Sequence, residues 1–328
     1  MITITPNREL SSRRPSSRST NEGKRAFGSS VLTLALYSFS LVPGVKDRTG
    51  SDKAMSGEYK SIRLERSEAV VEVVLVGPGK GNAMGPDFWR EMPELFAALD
   101  RDEEVRAIVV RGDGDHFSYG LDLPAMMGSL GQNFSGANLA AERTRMLDMV
   151  GEMQLAFDRV AACRKPVIAA INGWCIGGGL DFIAACDIRL ASSDARFSLR
   201  EVKVAIVADL GSLQRLPRII GDGLTRELAF TGKDITASRA LQINLVSEVL
   251  ETRDAMLEAA RRVAREIADN PPLVVQGIKR VMNYCADKSV ADGLGYVAAW
   301  NAAFLQSNDL VEAMTAFMER RAPRFKGQ

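Results

Sequence analysis

The sequence predicts an α/β protein with a largely parallel sheet, on three observations. Short apolar, β-branched runs recur along the chain, stretches with apolar residues at helical spacing separate them, and glycine-rich turns directly follow several of the runs. A first strand reads through Ala69-Val70-Val71-Glu72-Val73-Val74-Leu75-Val76 and breaks at Gly77-Pro78-Gly79. A helix starts at Pro86 and carries Phe88, Trp89, Met92, Leu95, Phe96 and Leu99 at helical spacing. Residues 107–110 form a second strand ending in Gly112-Asp113-Gly114-Asp115, and a long amphipathic helix occupies 138–160. Residues 166–171 make a buried strand stopped by Asn172-Gly173, and 188–191 and 245–250 continue the alternation. Strands separated by helices need crossover connections, which is why parallel pairing is expected. From Arg253 onward only helical patterns remain, with a break at Pro271-Pro272.

Three parts follow: an N-terminal extension at 1–54, an α/β core at 55–252, and a helical capping or oligomerisation region at 253–328. The extension carries nine Lys/Arg against four Asp/Glu and a Ser/Arg tract around Ser11-Ser12-Arg13-Arg14, a composition that does not bury a core. It reads either as a disordered tail, or sequence ahead of a start at Met55, or as an organellar targeting segment, since transit peptides are rich in Arg and Ser. Its apolar patch at 31–42 is too short to span a bilayer, and no later stretch is long enough.

Composition excludes several function classes. The formal net charge is +1, so no global basic field exists to hold a nucleic acid, and none is expected as a partner. The chain has one histidine, His116, which rules out a Ser-His-Asp hydrolase unless His116 is its base, and any zinc site needing two histidines. The four cysteines show no C-x-x-C spacing, so no metal site and no disulfide scaffold is expected.

Two segments after strand ends carry the chemistry. The first is His116-Phe117-Ser118-Tyr119-Gly120-Leu121-Asp122-Leu123; the second is Gly173-Trp174-Cys175-Ile176-Gly177-Gly178-Gly179-Leu180-Asp181. Three glycines before an apolar helical run allow close backbone approach and leave helix-start amides pointing outward, where they bind an anion or an oxygen that becomes one. The bland alternative is a turn that serves only helix–strand packing. The dinucleotide fingerprint G-x-G-x-x-G is absent from both segments.

Taken together, the two segments resemble the crotonase, or enoyl-CoA hydratase/isomerase, superfamily. The resemblance runs from about Ser61 to Gly327, through Asn82-Ala83-Met84, Leu213-Gln214-Arg215-Leu216-Pro217, Leu228-Ala229-Phe230-Thr231-Gly232 and Arg321-Ala322-Pro323-Arg324. It implies a spiral of ββα units with a C-terminal helical region, and an oxyanion hole gripping a thioester carbonyl through the N–H groups of Tyr119 and Gly178. The expected substrate contacts are Ser118, Tyr119, Gly120, Leu121, Asp122 and Gly178. Tyr119 departs from the small Ala or Ser usual there, so its phenol ring must be accommodated. No cofactor is implied, because CoA is part of the acyl-CoA substrate. A homotrimer or homohexamer is implied, cytoplasmic in a bacterium and mitochondrial or peroxisomal in a eukaryote.

With a single histidine, acid–base work falls to carboxylates, and the candidates are Asp181, Glu201 and Asp209. Asp209 interrupts the apolar run 204–211, where an unpaired carboxylate is costly. Read alone it is better explained as the N-cap of the helix that follows. Hydratases carry two glutamates at the positions of Asp181 and Glu201, and usually Gly at that of Asp209. The Asp, Glu, Asp set instead resembles Δ3,5-Δ2,4-dienoyl-CoA isomerase, as do Glu201-Val202-Lys203-Val204-Ala205 and Tyr296-Val297-Ala298-Ala299-Trp300-Asn301. That resemblance implies a base at C2 (Glu201) and an acid at C6 (Asp209), with Asp181 polarising their surroundings, as a step of unsaturated fatty-acid β-oxidation. Two other readings stand beside it: enoyl-CoA hydration or another crotonase reaction, and a non-catalytic, RNA-binding relative.

Overall fold

The computed structural model describes residues 59–78, 81–132 and 139–328; the extension at 1–54 lies outside them. The chain runs through β1 (Ile62–Ser67), β2 (Val70–Leu75), α1 (Pro86–Arg101), β3 (Ala107–Gly112), α2 (Leu123–Gln132) and α3 (Leu139–Ala162). It continues with β4 (Val167–Ile171), β5 (Trp174–Ile176), α4 (Gly178–Ala185), β6 (Ile188–Ser192), β7 (Arg196–Ser198) and α5 (Ser212–Ile220). After these come α6 (Asp222–Thr231), β8 (Asp234–Thr236), α7 (Ala237–Gln242) and β9 (Glu248–Leu250). Four helices close it: α8 (Arg253–Ala268), α9 (Pro272–Cys285), α10 (Val290–Phe304) and α11 (Asn308–Glu319).

Six strands form the main sheet in the order β1-β2-β3-β4-β6-β9, parallel throughout except for the β1/β2 hairpin. Both faces are covered, which explains why the strands read as nearly continuous apolar runs. Val71, Val73, Leu75, Ile108, Val110, Val167, Ala169 and Ile171 face the larger core, with Phe88, Trp89, Phe157 and Phe182 of α1, α3 and α4. Val70, Ala107, Val109, Ile168 and Ala170 face the other way, against Met256, Ala259, Ala260 and Ala264 of α8. The first helix of the C-terminal region is therefore a sheet-covering element, and the helices that stand beyond the sheet begin at Pro272. On that second face Arg111 and Arg261 each reach Glu72 at 2.6 Å. Burial works against the Glu72 charge, but the bonds from Arg261 and Arg111 outweigh it and hold its pKa below the usual range.

A second sheet orders β5-β7-β8, each of three residues. Neither this sheet nor β1 was legible as strand: three residues carry no periodicity, and IRLERS is a charged edge strand. Among the described residues no helix is long and apolar enough to cross a membrane.

Candidate active site

The two segments singled out by sequence meet beyond the C-terminal ends of β3 and β4, where open parallel sheets place their ligands. The loop after β3 lies between residues 82–84 and β5. On one side Ser118 N–H donates to Trp174 O and Ile176 N–H to Ser118 O, both at 3.0 Å; on the other Met84 N–H donates to Gly120 O at 2.8 Å. Asn82 pins the turn, its Nδ2 donating to the carbonyls of Asp113, His116 and Phe117 at 3.0, 2.8 and 3.2 Å. Gly120 sits at φ +78, and a Cβ there would fall 2.7 Å from both Gly178 N and Ile176 O. Only glycine permits this approach, and it brings the loop against the start of α4.

Of the two expected donors, Gly178 N–H opens α4 and makes no hydrogen bond among the described residues. The Tyr119 N–H is not free: it donates to Gly81 O at 2.7 Å, a contact made by a loop 38 positions earlier in the chain and invisible to local reading. The Tyr119 ring is accommodated by stacking on His116 at 5.0 Å and lying over Gly81. Beside it opens a cavity of about 460 Å³ lined by Val76, Gly81, Asn82, Asp113 and His116. His116 itself serves the loop, its Nδ1 accepting from Trp174 N–H at 3.2 Å.

The three carboxylates converge. Asp181, in the first turn of α4, is 1% exposed; its Oδ1 accepts from Ser212 N–H at 2.6 Å, and its Oδ2 has no partner among the described residues. Burial pushes its pKa up to about 6, the Ser212 bond pulling down and the Asp209 charge adding to the rise. Glu201 begins a 3-10 turn at Glu201–Val204; its Oε2 is buried and unpartnered among the described residues, and its Oε1 stands 3.3 Å from the position of a Gly177 Cβ. Burial first, then the charges of Asp181 and Asp209, raise it to about 7. Burial also raises the half-buried Asp209. It caps nothing: the N-cap of α5 is Gly211, with no side-chain capping bond, so the helix-cap reading of Asp209 is set aside. Buried, unpartnered carboxyl oxygens cost stability, and such groups with raised pKa are candidates for proton transfer.

The Enoyl-CoA hydratase/isomerase family profile matches residues 65–328. The chain belongs to that family. The mitochondrial Delta(3,5)-Delta(2,4)-dienoyl-CoA isomerase of Dictyostelium discoideum is 44% identical over 274 residues, 82% of this chain and 92% of that protein. The peroxisomal Delta(3,5)-Delta(2,4)-dienoyl-CoA isomerase of Arabidopsis thaliana is 42% identical over 81% of this chain and 97% of its own length. A crystal structure of an enoyl-CoA hydratase from Bacillus anthracis superposes with a TM-score of 0.74 at 28% identity, covering 82% of this chain and all of that one.

In this family member several expected substrate contacts work on the loop itself. Ser118 is fully buried, its Oγ donating to Asn82 O at 2.9 Å and accepting from Gly120 N–H at 3.0 Å. Leu121 packs against the core, and Asp122 Oδ1 accepts from Ala125 N–H at 3.1 Å in the first turn of α2. A loop wedged between two backbones has to satisfy its own polar groups, so these side chains shape it. Sequence reading missed Ser212 as the partner of Asp181 and Gln154 as a partner of the Asp209 backbone. Neither carries a local signal; the partners lie 31 and 55 positions away.

Proposed function

We propose that this enzyme isomerises 3,5-dienoyl-CoA to 2,4-dienoyl-CoA by carboxylate-mediated proton transfer from C2 to C6. The observation that carries the reading is the carboxyl set Asp181, Glu201 and Asp209, each with its pKa raised, with Asp181 in the first turn of the helix that Gly178 opens and Glu201 Oε1 3.3 Å from a Cβ position at Gly177. The C2 proton of a thioester is weakly acidic, and its removal puts charge on the carbonyl oxygen. Gly178 N–H receives that oxygen, and the thioester oxygen replaces Gly81 O as acceptor for Tyr119 N–H. Donors in place on the carbonyl oxygen before the charge develops stabilise the enolate more than the thioester.

Glu201, with a pKa of about 7, is poised as the base. The dienolate is conjugated to C6, and Asp209 delivers the second proton there when it is the protonated member of the coupled set. One turnover leaves the proton on Glu201 and the charge on Asp209, so one proton returns before the next. Three adjacent carboxyls do not all ionise cheaply, and they titrate as a coupled set. Asp181, bonded to Ser212 through one oxygen, polarises the other two.

Exposed Ile278, Met282, Phe304 and Leu310 on α9–α11, lining a cavity of about 310 Å³, support self-association as a trimer or hexamer. We place the enzyme in a mitochondrion or peroxisome in a eukaryotic host, and in the cytoplasm of a bacterial one. The deciding experiment offers the purified protein 3,5-dienoyl-CoA and 2-enoyl-CoA in parallel. Preferential isomerisation of the dienoyl ester is expected; hydration of the enoyl ester with no isomerisation overturns the reading.

A further inference from the structure

The segment that carries Asp209 is held by side chains of elements remote in sequence. Gln154 Nε2 on α3 donates to Asp209 O at 2.6 Å. Arg215 Nη1 donates to Leu210 O at 3.2 Å, while its Nη2 donates to Asp158 Oδ1 at 2.6 Å. Asp158 lies four residues beyond Gln154, on the same face of α3. The Arg215 side chain also fills the space beside Gly211, at φ +117, where a Cβ would fall 1.8 Å from Nη1. Ser212 N–H, the next link, is taken by Asp181. α3 is itself anchored to the helix of Asp181, through Phe157 stacked on Phe182 at 5.2 Å and 22°. The triad and the grip on its third member thus share one rigid frame.

We propose that Gln154, assisted by the Asp158–Arg215 pair, is a positioning residue that sets where the Asp209 carboxyl stands relative to Glu201. Asp158 is largely exposed, so that pair contributes little by itself and Gln154 carries the main restraint. The Gln154 amide faces a carbonyl oxygen of the backbone, not the carboxylate, so it fixes location without consuming the proton-transfer group. The consequence for turnover rests on the isomerase reading of Asp209; the restraint itself does not.

The test replaces Gln154 by groups of similar size that cannot donate, in Gln154→Met and Gln154→Glu. A misplacement of about 1 Å costs on the order of 10²-fold, so kcat for 3,5-dienoyl-CoA should fall about 10- to 100-fold while KM changes less than about twofold. In an Asp209→Asn background the same changes should cost almost nothing further, because residues acting through one group are not additive. Hydrogen exchange across 209–212 should rise in both variants, while 167–171 in β4 stays protected. Wild-type kcat in both variants, losses that multiply with Asp209→Asn, or unchanged exchange at 209–212 each overturn the proposal. Faster exchange in a protein whose wild type does not isomerise the dienoyl ester supports the restraint and sinks the isomerase reading instead.

Discussion

Gly178 offers a clean test of the oxyanion hole. It is the first residue of α4, the position where proline is best tolerated in a helix, and its N–H has no protein acceptor among the described residues. Gly178→Pro therefore deletes a donor without breaking an internal hydrogen bond. The Cβ it adds comes 3.3 Å from Met84 Sδ, on a flexible side chain able to yield by a few tenths of an ångström. Gly178→Ala introduces the same Cβ and keeps the N–H, so it controls for the added Cβ, while in Gly178→Pro the ring Cδ takes the place of the amide hydrogen. Removing one such donor typically costs about 2.7–4 kcal/mol, or roughly 10²–10³ in kcat. Gly178→Ala should stay within about threefold of wild type, a change worth about 0.6 kcal/mol. Initial rates on 3,5-dienoyl-CoA provide the readout, with circular dichroism and oligomer size confirming that both variants fold. A folded Gly178→Pro enzyme as fast as Gly178→Ala would remove the oxyanion argument.

Two further expectations follow from the carboxylates. Asp209→Asn keeps size and hydrogen bonding but cannot exchange a proton near neutrality, so isomerisation should drop about 10²-fold or more, the scale for deleting a general acid. Binding of an acyl-CoA ester, measured by calorimetry, should hardly change; near-normal isomerisation would count against Asp209 as the acid. Glu201 has to be ionised to accept the C2 proton, so kcat/KM should fall as pH drops through about 7. Asp181 is among the charges that raise Glu201, and Asp181→Asn should shift that limb to lower pH. A limb that stays put, or moves upward, contradicts the coupling.

Much of the fold could be read from order and periodicity alone. The helix expected from Pro86 is α1, Pro86–Arg101, and the one expected over 138–160 is α3, Leu139–Ala162. The buried strand expected at 166–171 is Val167–Ile171. These elements are long or strongly apolar, and their burial pattern repeats within a few residues. β1 escaped because Arg63, Glu65 and Arg66 make it a charged edge strand without an apolar run, and β5, β7 and β8 escaped because pairing alone defines strands so short.

By itself the sequence singled out the two loops, through their glycines, and turned the search for proton carriers to carboxylates, because the chain has one histidine; the choice of Asp181, Glu201 and Asp209 among its 41 acidic residues rested on their positions in the family resemblance. Tertiary structure decided the surroundings of each acid. That Asp209 does not cap the helix follows from Gly211 taking the cap, and the place of its backbone depends on Gln154 holding it from α3. Asp181 is raised to about 6 and Glu201 to about 7 because distant segments exclude water from them and bring like charges together. The Tyr119 amide is engaged because Gly81 reaches it across the loop. Burial and charge proximity are sums over neighbours far apart in the chain, so folding alone decides them.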